Sequence, residues 1–263
     1  MKVKRIGIAA LALLAALACV GCSKNQAGGG GALDAIRKNG VLKVGVKSDV
    51  PKFGLLNTST NQYEGMEIEL AELIAKDILG EGGKVEFTAV TAKTRGPLID
   101  NGELDLIVAT YTITEERKLS YNFSTPYYTD AVGMLVKRAS GIASVADLNN
   151  KTIGVAQSAT SRDAISAAAS AAGAQVSFLE FATYPEIKAA LDSGRVDVFS
   201  VDGSILAGYL DATTTILPDR FSPQEYGAAS KLSNKDLADH VDGLIQKWLS
   251  DGTIDNLIKK YAL

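Results

Sequence analysis

The segment Leu98-Ile99-Asp100-Asn101-Gly102-Glu103-Leu104-Asp105-Leu106-Ile107-Val108-Ala109-Thr110 aligns without a gap on Ala190-Leu191-Asp192-Ser193-Gly194-Arg195-Val196-Asp197-Val198-Phe199-Ser200-Val201-Asp202. Each copy reads as a helix end, a glycine stop, and a buried strand with an Asp near its start. Glycine just past the last turn takes the left-handed backbone that ends a helix. The apolar run that follows suits a parallel strand covered on both faces. Two similar α/β lobes are therefore expected. Thr110 and Asp202 share the last position of the repeat, at the carboxyl edges of their strands, where open α/β sheets bind ligands. Two lobes facing each other there would enclose one small molecule.

The pattern extends on both sides of the first copy. Residues 42–46 read as a strand. Residues 67–79 read as a helix with Leu70, Leu73, Ile74 and Ile78 on one face and Gly80 behind it. Residues 85–90 make a second strand, Pro97 suits the first turn of a short helix, and residues 104–109 make a third strand. Residues 131–137 read as a long strand passing into the second lobe. That lobe starts again with Thr152-Ile153-Gly154-Val155, a helix capped by Ser161, a strand at 176–181, a helix opened by Pro185 and a strand at 196–201. Residues 226–230 return to the first lobe, and helices beginning near Ser233 and Ile254 complete it. The fold expected is α/β and two-lobed, each lobe a mostly parallel sheet flanked by helices. Residues 33–135 and 227–263 form lobe 1, and 136–226 form lobe 2. Two crossings between lobes favour a hinge about one axis.

The N-terminus indicates export. Lys2, Lys4 and Arg5 precede an apolar run at 6–20, shorter than the roughly 20 residues a comfortable membrane span needs. A basic head, a short apolar body and small residues before a cut describe an export signal, here residues 1–21. Cys19-Val20-Gly21-Cys22 resembles the bacterial lipoprotein box, with Cys19 where Leu is usual. That resemblance implies a lipid thioether on Cys22 and an extracytoplasmic, membrane-anchored protein. Residues 22–32, with four successive glycines, read as a flexible tether reaching roughly 15–20 Å. Gly28 to Gly31 lack the strand and Lys-Ser/Thr of a phosphate loop. Both cysteines of the chain lie in this region, so the folded part offers no thiol for a disulfide or a thiolate metal site. Loss of residues 1–21 removes three positive charges and moves the net charge from −3 to −6. A mildly acidic surface argues against nucleic acid and anionic lipid as partners.

Further motifs carry a family resemblance. Gly65-Met66-Glu67-Ile68-Glu69-Leu70 has the alternation glycine, hydrophobic, acidic, hydrophobic, acidic, hydrophobic. With Thr110-Tyr111-Thr112-Ile113-Thr114-Glu115-Glu116-Arg117, Phe123-Ser124-Thr125-Pro126-Tyr127-Tyr128, Ile153-Gly154-Val155 and Arg195-Val196-Asp197, the chain from about Leu33 onward resembles family 3 of the bacterial solute-binding proteins, the binding components of polar amino-acid ABC importers. Met66 departs from the usual aromatic or branched residue. Gly45-Val46-Lys47-Ser48-Asp49-Val50-Pro51 and Ala92-Lys93-Thr94-Arg95-Gly96-Pro97-Leu98 resemble the aspartate- and glutamate-binding branch, although some chains with the second segment are named glutamine binders. The resemblance implies a periplasmic-binding-protein fold of type II. It further implies closure on an amino acid without a cofactor or metal, and docking of a monomer on a membrane permease driven by an ATPase.

An α-amino acid presents a carboxylate and an ammonium a fixed distance apart. The carboxylate suits the two-pronged guanidinium of arginine. Arg117, within the turn that Thr114 caps, matches the family arginine that holds it, and its alternative is a surface pair with Glu115 or Glu116. Thr110, Thr112 and Thr160 match positions that hydrogen bond the same end. Thr160 lies in Gln157-Ser158-Ala159-Thr160-Ser161, before a helix start suited to an anion, and Ala159 stands where some relatives have a second Thr. Asp202 is the expected ammonium acceptor, with helix capping as its alternative. Arg95 is expected to meet the ligand side chain, and its alternative is an ion pair with Asp100. Lys47 could add a second positive charge or lie on the surface. Tyr184 could reach the ligand across the cleft or pack at its helix entry, and Phe53 reads as core.

A neutral amide would leave a buried charge poorly compensated, so glutamate or aspartate is the expected ligand and glutamine the alternative. The rival class is an enzyme resembling cyclohexadienyl dehydratases. It lacks a spare acid for proton transfer, and His240 has no triad or metal companions in the sequence.

Overall fold

The computed structural model describes residues 31–263. The expected export signal, Cys22 and all but the last two residues of the expected tether lie outside the described residues. Ala32, placed in that tether by sequence, is the first residue of α1 (Ala32–Asn39). The elements that follow are β1 (Val41–Val46), β2 (Asp49–Val50), β3 (Gly54–Asn57), β4 (Gln62–Glu64), α2 (Met66–Leu79), β5 (Lys84–Ala89), α3 (Arg95–Asp100), β6 (Leu106–Val108), α4 (Glu115–Lys118) and β7 (Tyr121–Phe123). Then come β8 (Tyr128–Lys137), β9 (Lys151–Ala156), α5 (Ser161–Ala171), β10 (Val176–Phe181), α6 (Tyr184–Ser193), β11 (Val198–Asp202), α7 (Gly203–Ala207) and β12 (Thr214–Ile216). The chain closes with β13 (Phe221–Tyr226), β14 (Ala229–Lys231), α8 (Lys235–Ser250) and α9 (Thr253–Tyr261).

Two larger sheets share one plan. The first runs β5-β1-β6-β14-β7 and the second β10-β9-β11-β8-β12, with β13 also on β8. In each, three strands are parallel in the order second, first, third, and the next strand inserts antiparallel. The register repeats as well: Gly45 faces Ile107 in the first sheet and Gly154 faces Phe199 in the second. A side chain at Gly45 would strike Leu104, and one at Gly154 would strike Ile187 and Val196. The two glycines thus let the layer behind press against the first strand of each sheet.

The repeated Asp is a pin. Asp105 accepts the Lys43 N–H at 2.9 Å and returns its own N–H to the Lys43 carbonyl at 2.9 Å. Asp197 does the same with Thr152, at 2.8 Å each way. Gly102 and Gly194 end the preceding helices with φ of 77° and 78°.

The chain changes sheets twice, and the two crossings lie side by side. Ser124 donates its N–H to Ala228, Tyr127 to Tyr226, and Gly227 to Tyr111, at 2.9–3.1 Å. The expected first boundary, after residue 135, needs correcting. All of β8 pairs with β11, β12 and β13 of the second sheet, so the chain has already crossed by Tyr128. The second crossing falls between Tyr226 and Ala229. Ser161 also differs from its expected capping role. Thr160 holds the N-cap position of α5, and Ser161 is its first helical residue, with a buried hydroxyl that finds no partner. Among the described residues no helix is long and apolar enough to cross a membrane.

Candidate functional site

The carboxyl edges of the two sheets face each other, and the sequence-selected residues converge on the seam between them. Lys47, Arg95 and Asp202 are only 2–5 % exposed, and Thr110, Thr112 and Tyr184 are also buried. The lobes touch directly. Arg117 donates through Nη2 to the Ser158 carbonyl at 3.1 Å. Tyr184 donates its backbone N–H to Asp49 at 3.2 Å, and the Tyr209 hydroxyl donates to the Asp49 carbonyl. These contacts join the two lobes across the seam.

Arg117 follows the turn that Thr114 caps, the Thr114 hydroxyl accepting its N–H at 3.1 Å. Its guanidinium turns inward, away from Glu115 and Glu116. It donates to the Thr112 carbonyl at 2.7 Å and lies 4.7 Å from the Tyr111 ring centre. Burial, with Arg95 nearby, pushes its pKa down to about 10. Arg95 is not paired with Asp100, which accepts the Tyr121 hydroxyl instead. Its Nη1 donates to the carbonyls of Ala109 and Thr110, at 2.7 and 3.1 Å, and the guanidinium sits 3.9 Å over Tyr111. Arg95 Nε has no partner.

Thr110 adopts φ of 44°, a left-handed conformation that costs a residue with a Cβ about 1–2 kcal/mol. Glu67 holds it there, accepting the Thr110 N–H at 2.6 Å while Arg95 takes the carbonyl. The Thr110 hydroxyl is buried and without a partner.

Asp202 occupies the position before α7, yet its side chain does not cap that helix. Asp130 does so instead, accepting the Ser204 N–H at 2.8 Å. The Asp202 carboxyl is thereby left to the seam, where the Tyr226 hydroxyl donates to it. Burial raises its pKa to about 7. The Tyr226 bond, Arg95 and Arg117 pull it down, and Asp130 pushes it up.

Lys47 is not on the surface. Its ammonium pairs with Asp49 at 3.1 Å and lies 4.6 Å from the Tyr184 ring centre. Tyr184 therefore serves at once as the entry of α6 and as a wall of the seam. Phe53 packs edge-on against Tyr128 and Tyr226 in the core. His240 makes a peripheral pair with Asp77 at 2.8 Å. Among the described residues no cluster of His, Cys, Asp or Glu could hold a metal ion.

Two participants escaped the sequence reading. Gln224 on β13 is buried, and its carbonyl oxygen accepts the hydroxyls of Thr112 at 2.8 Å and Thr160 at 2.6 Å, tying both lobes to the second crossing. Glu67, quoted only as part of a motif, is fully buried beneath Thr110. A signal for it existed. Helical spacing places Glu67 on the same face as Leu70, Ala71 and Ile74, so a carboxylate interrupts an apolar stripe.

Residues 42–263 match the description "Bacterial extracellular solute-binding proteins, family 3". The chain belongs to this family. It is 37% identical over 269 residues to the ABC transporter glutamine-binding protein GlnH of Bacillus subtilis (strain 168), covering 98% of this chain and 97% of that one. It is 30% identical over 266 residues to the glutamate-binding protein GluB of Corynebacterium glutamicum, covering 96% and 87%. Among solved structures it is similar to the ancestral amino acid-binding protein AncCDT-1, described as a precursor of cyclohexadienyl dehydratase, with a TM-score of 0.77, 30% identity, and 88% and 99% coverage. With relatives that are binding components of transporters, the chain is a solute-binding protein and not an enzyme.

Proposed function

We propose that the protein captures free glutamine between its two lobes and delivers it to an amino-acid ABC importer. In this reading Arg117, with Thr112 and Thr160, receives the α-carboxylate. Asp202 and the Thr110 side chain receive the α-ammonium, and Arg95, Lys47 and Tyr184 meet the side chain. Residues 31–127 with 229–263 and residues 128–226 are the two bodies that close about the paired crossings. Export, a lipid anchor at Cys22, action as a monomer, and docking on a permease with its ATPase complete the proposal.

The observation that carries glutamine over glutamate is the state of the two side-chain cations. The sequence argument for an acidic ligand assumed that Arg95 and Lys47 need a negative partner from the ligand. Lys47 already has Asp49 at 3.1 Å, and Arg95 already has two carbonyls, the Tyr111 face and Glu67 nearby. A carboxylate brought against two cations that already have partners would gain less from them than a ligand meeting bare charges, while its desolvation costs several kcal/mol. An amide needs only hydrogen bonds. The more similar of the two named relatives also carries glutamine in its name. Competition calorimetry with glutamine, glutamate, aspartate, cystine and arginine tests the reading. Glutamine should bind at least about tenfold more tightly than glutamate, a difference of about 1.4 kcal/mol. Tighter binding of glutamate or aspartate would restore the acidic assignment.

A further inference from the structure

Glu67 and Arg95 grip one residue from opposite ends. On one side of Thr110, Glu67 Oε1 accepts the backbone N–H at 2.6 Å and the Tyr127 hydroxyl at 2.6 Å. On the other side, Arg95 donates to the Thr110 carbonyl at 3.1 Å. Glu67 is completely buried, and among the described residues its second oxygen has no hydrogen-bond partner. An isolated buried carboxylate is expensive, as is an isolated buried guanidinium. Here the two lie close enough for each charge to act on the other, with Lys47 the next nearest cation.

Building on the glutamine reading, we propose that Glu67 is a specificity-determining residue, the built-in counter-charge to Arg95 that makes the pocket accept a neutral amide and reject a second carboxylate. The charges behind the side-chain end of the site then balance. Lys47 is matched by Asp49, and Arg95 by Glu67. A glutamine side chain leaves that balance undisturbed, whereas glutamate adds an unmatched negative charge. The groups facing Glu67 come from four surrounding elements. Tyr127 precedes β8, Thr110 follows β6, Arg95 opens α3 and Lys47 follows β1. Tyr127, Thr110, Arg95 and Lys47 all favour its charged form, and burial outweighs them and leaves the Glu67 carboxyl raised to about 7.

The test measures the ratio of glutamine to glutamate affinity in the purified chain at one pH, by competition calorimetry. Glu67→Gln keeps an acceptor for the Thr110 and Tyr127 donors and removes the charge. It should move the ratio toward glutamate by about tenfold or more relative to wild type, and adding Arg95→Met should bring the ratio back to within about threefold. A folded Glu67→Gln protein whose ratio stays within about threefold of wild type, or moves toward glutamine, overturns the proposal. Should Glu67→Gln fail to fold, Arg95→Met alone decides: the ratio should move toward glutamine by a similar factor, and an unchanged ratio again overturns it. Because the readout is a change from wild type, a wild-type protein that prefers glutamate refutes the glutamine reading without deciding the role of Glu67.

Discussion

The ends of β6 and β11 occupy the same place in two copies of one design, and they have become different chemical tools. Both strands follow a left-handed glycine, both are pinned by an Asp that exchanges two hydrogen bonds with the first strand, and both lie beside a strand opened by a glycine. At the last repeated position the copies diverge. In the first lobe Thr110 is bent into a left-handed conformation and clamped by Glu67 and Arg95, with its hydroxyl buried. In the second lobe Asp202 offers a carboxyl that accepts a hydrogen bond from Tyr226. The repeated glycine and aspartate therefore hold the scaffold, and at the last register position one copy presents a hydroxyl and the other a carboxyl.

The sharpest way to break this comparison is to remove one pole at a time. Arg117→Ala should weaken the binding of every amino acid by more than about 100-fold, because it removes the half-buried two-pronged donor expected to take the common carboxylate. Asp202→Asn should cost about 30- to 100-fold, somewhat less because the amide still hydrogen bonds. Calorimetry on both variants checks the order, and a negligible loss in either breaks the assignment of poles to lobes.

Acidity provides a milder perturbation. Burial raises the Asp202 carboxyl to about 7. An unfolded Asp loses its proton near 4, so between about 4 and 7 the folded group holds a proton that the unfolded one has lost. The contribution of Asp202 to folding therefore weakens as pH rises through that window. A ligand ammonium favours the carboxylate and expels the proton. Affinity should accordingly climb toward pH 7 and level off above it, and be about tenfold weaker near pH 6 than on the plateau. Tyr226, Asp130, Arg95 and Arg117 are the charged or titratable groups that act on this carboxyl. In Asp202→Asn the slope should flatten, and a wild-type profile without a slope would remove Asp202 from the ammonium site.

The smallest effect concerns the shared scaffold. Asp105→Ala and Asp197→Ala should each lower stability by about 1–2 kcal/mol with little change in affinity, since each pin orders a strand start far from the seam. Denaturant unfolding of the two variants should give similar losses. A large drop in affinity from either would mean that the pins belong to the binding apparatus and not to the frame.

Most of the frame was legible because it depends on local signals. Glycine stops, apolar strand runs and the pairing of Val44-Gly45-Val46 with Ile153-Gly154-Val155 all act within a few residues. The candidate poles Arg117 and Asp202 were legible through the repeat and the motif that carries Thr114 and Arg117. What escaped depends on distant partners. Glu67 meets Thr110 across 43 positions, Gln224 meets Thr112 across 112, and Tyr226 meets Asp202 across 24. No local pattern announces such pairings, although a carboxylate on the apolar face of α2 was a visible anomaly. Lys47 taught the opposite lesson. Its partner Asp49 stands two residues away, and a turn between β1 and β2 brings the two charges together. The sequence argument for an acidic ligand rested on Arg95, with Lys47 as a possible second cation, and the partner that Asp49 gives Lys47 was not counted in it.

The central claim is that Arg117 of the first lobe and Asp202 of the second grip opposite ends of one zwitterion, and blocked ligands test it most directly. Calorimetric titration should compare glutamine with glutaminamide, which lacks the α-carboxylate, and with N-acetylglutamine, which lacks the α-ammonium. The account predicts binding of glutamine at micromolar affinity or better, about −8 kcal/mol, and loss of measurable heat with both blocked forms. Binding of either blocked form within about tenfold of glutamine would contradict it.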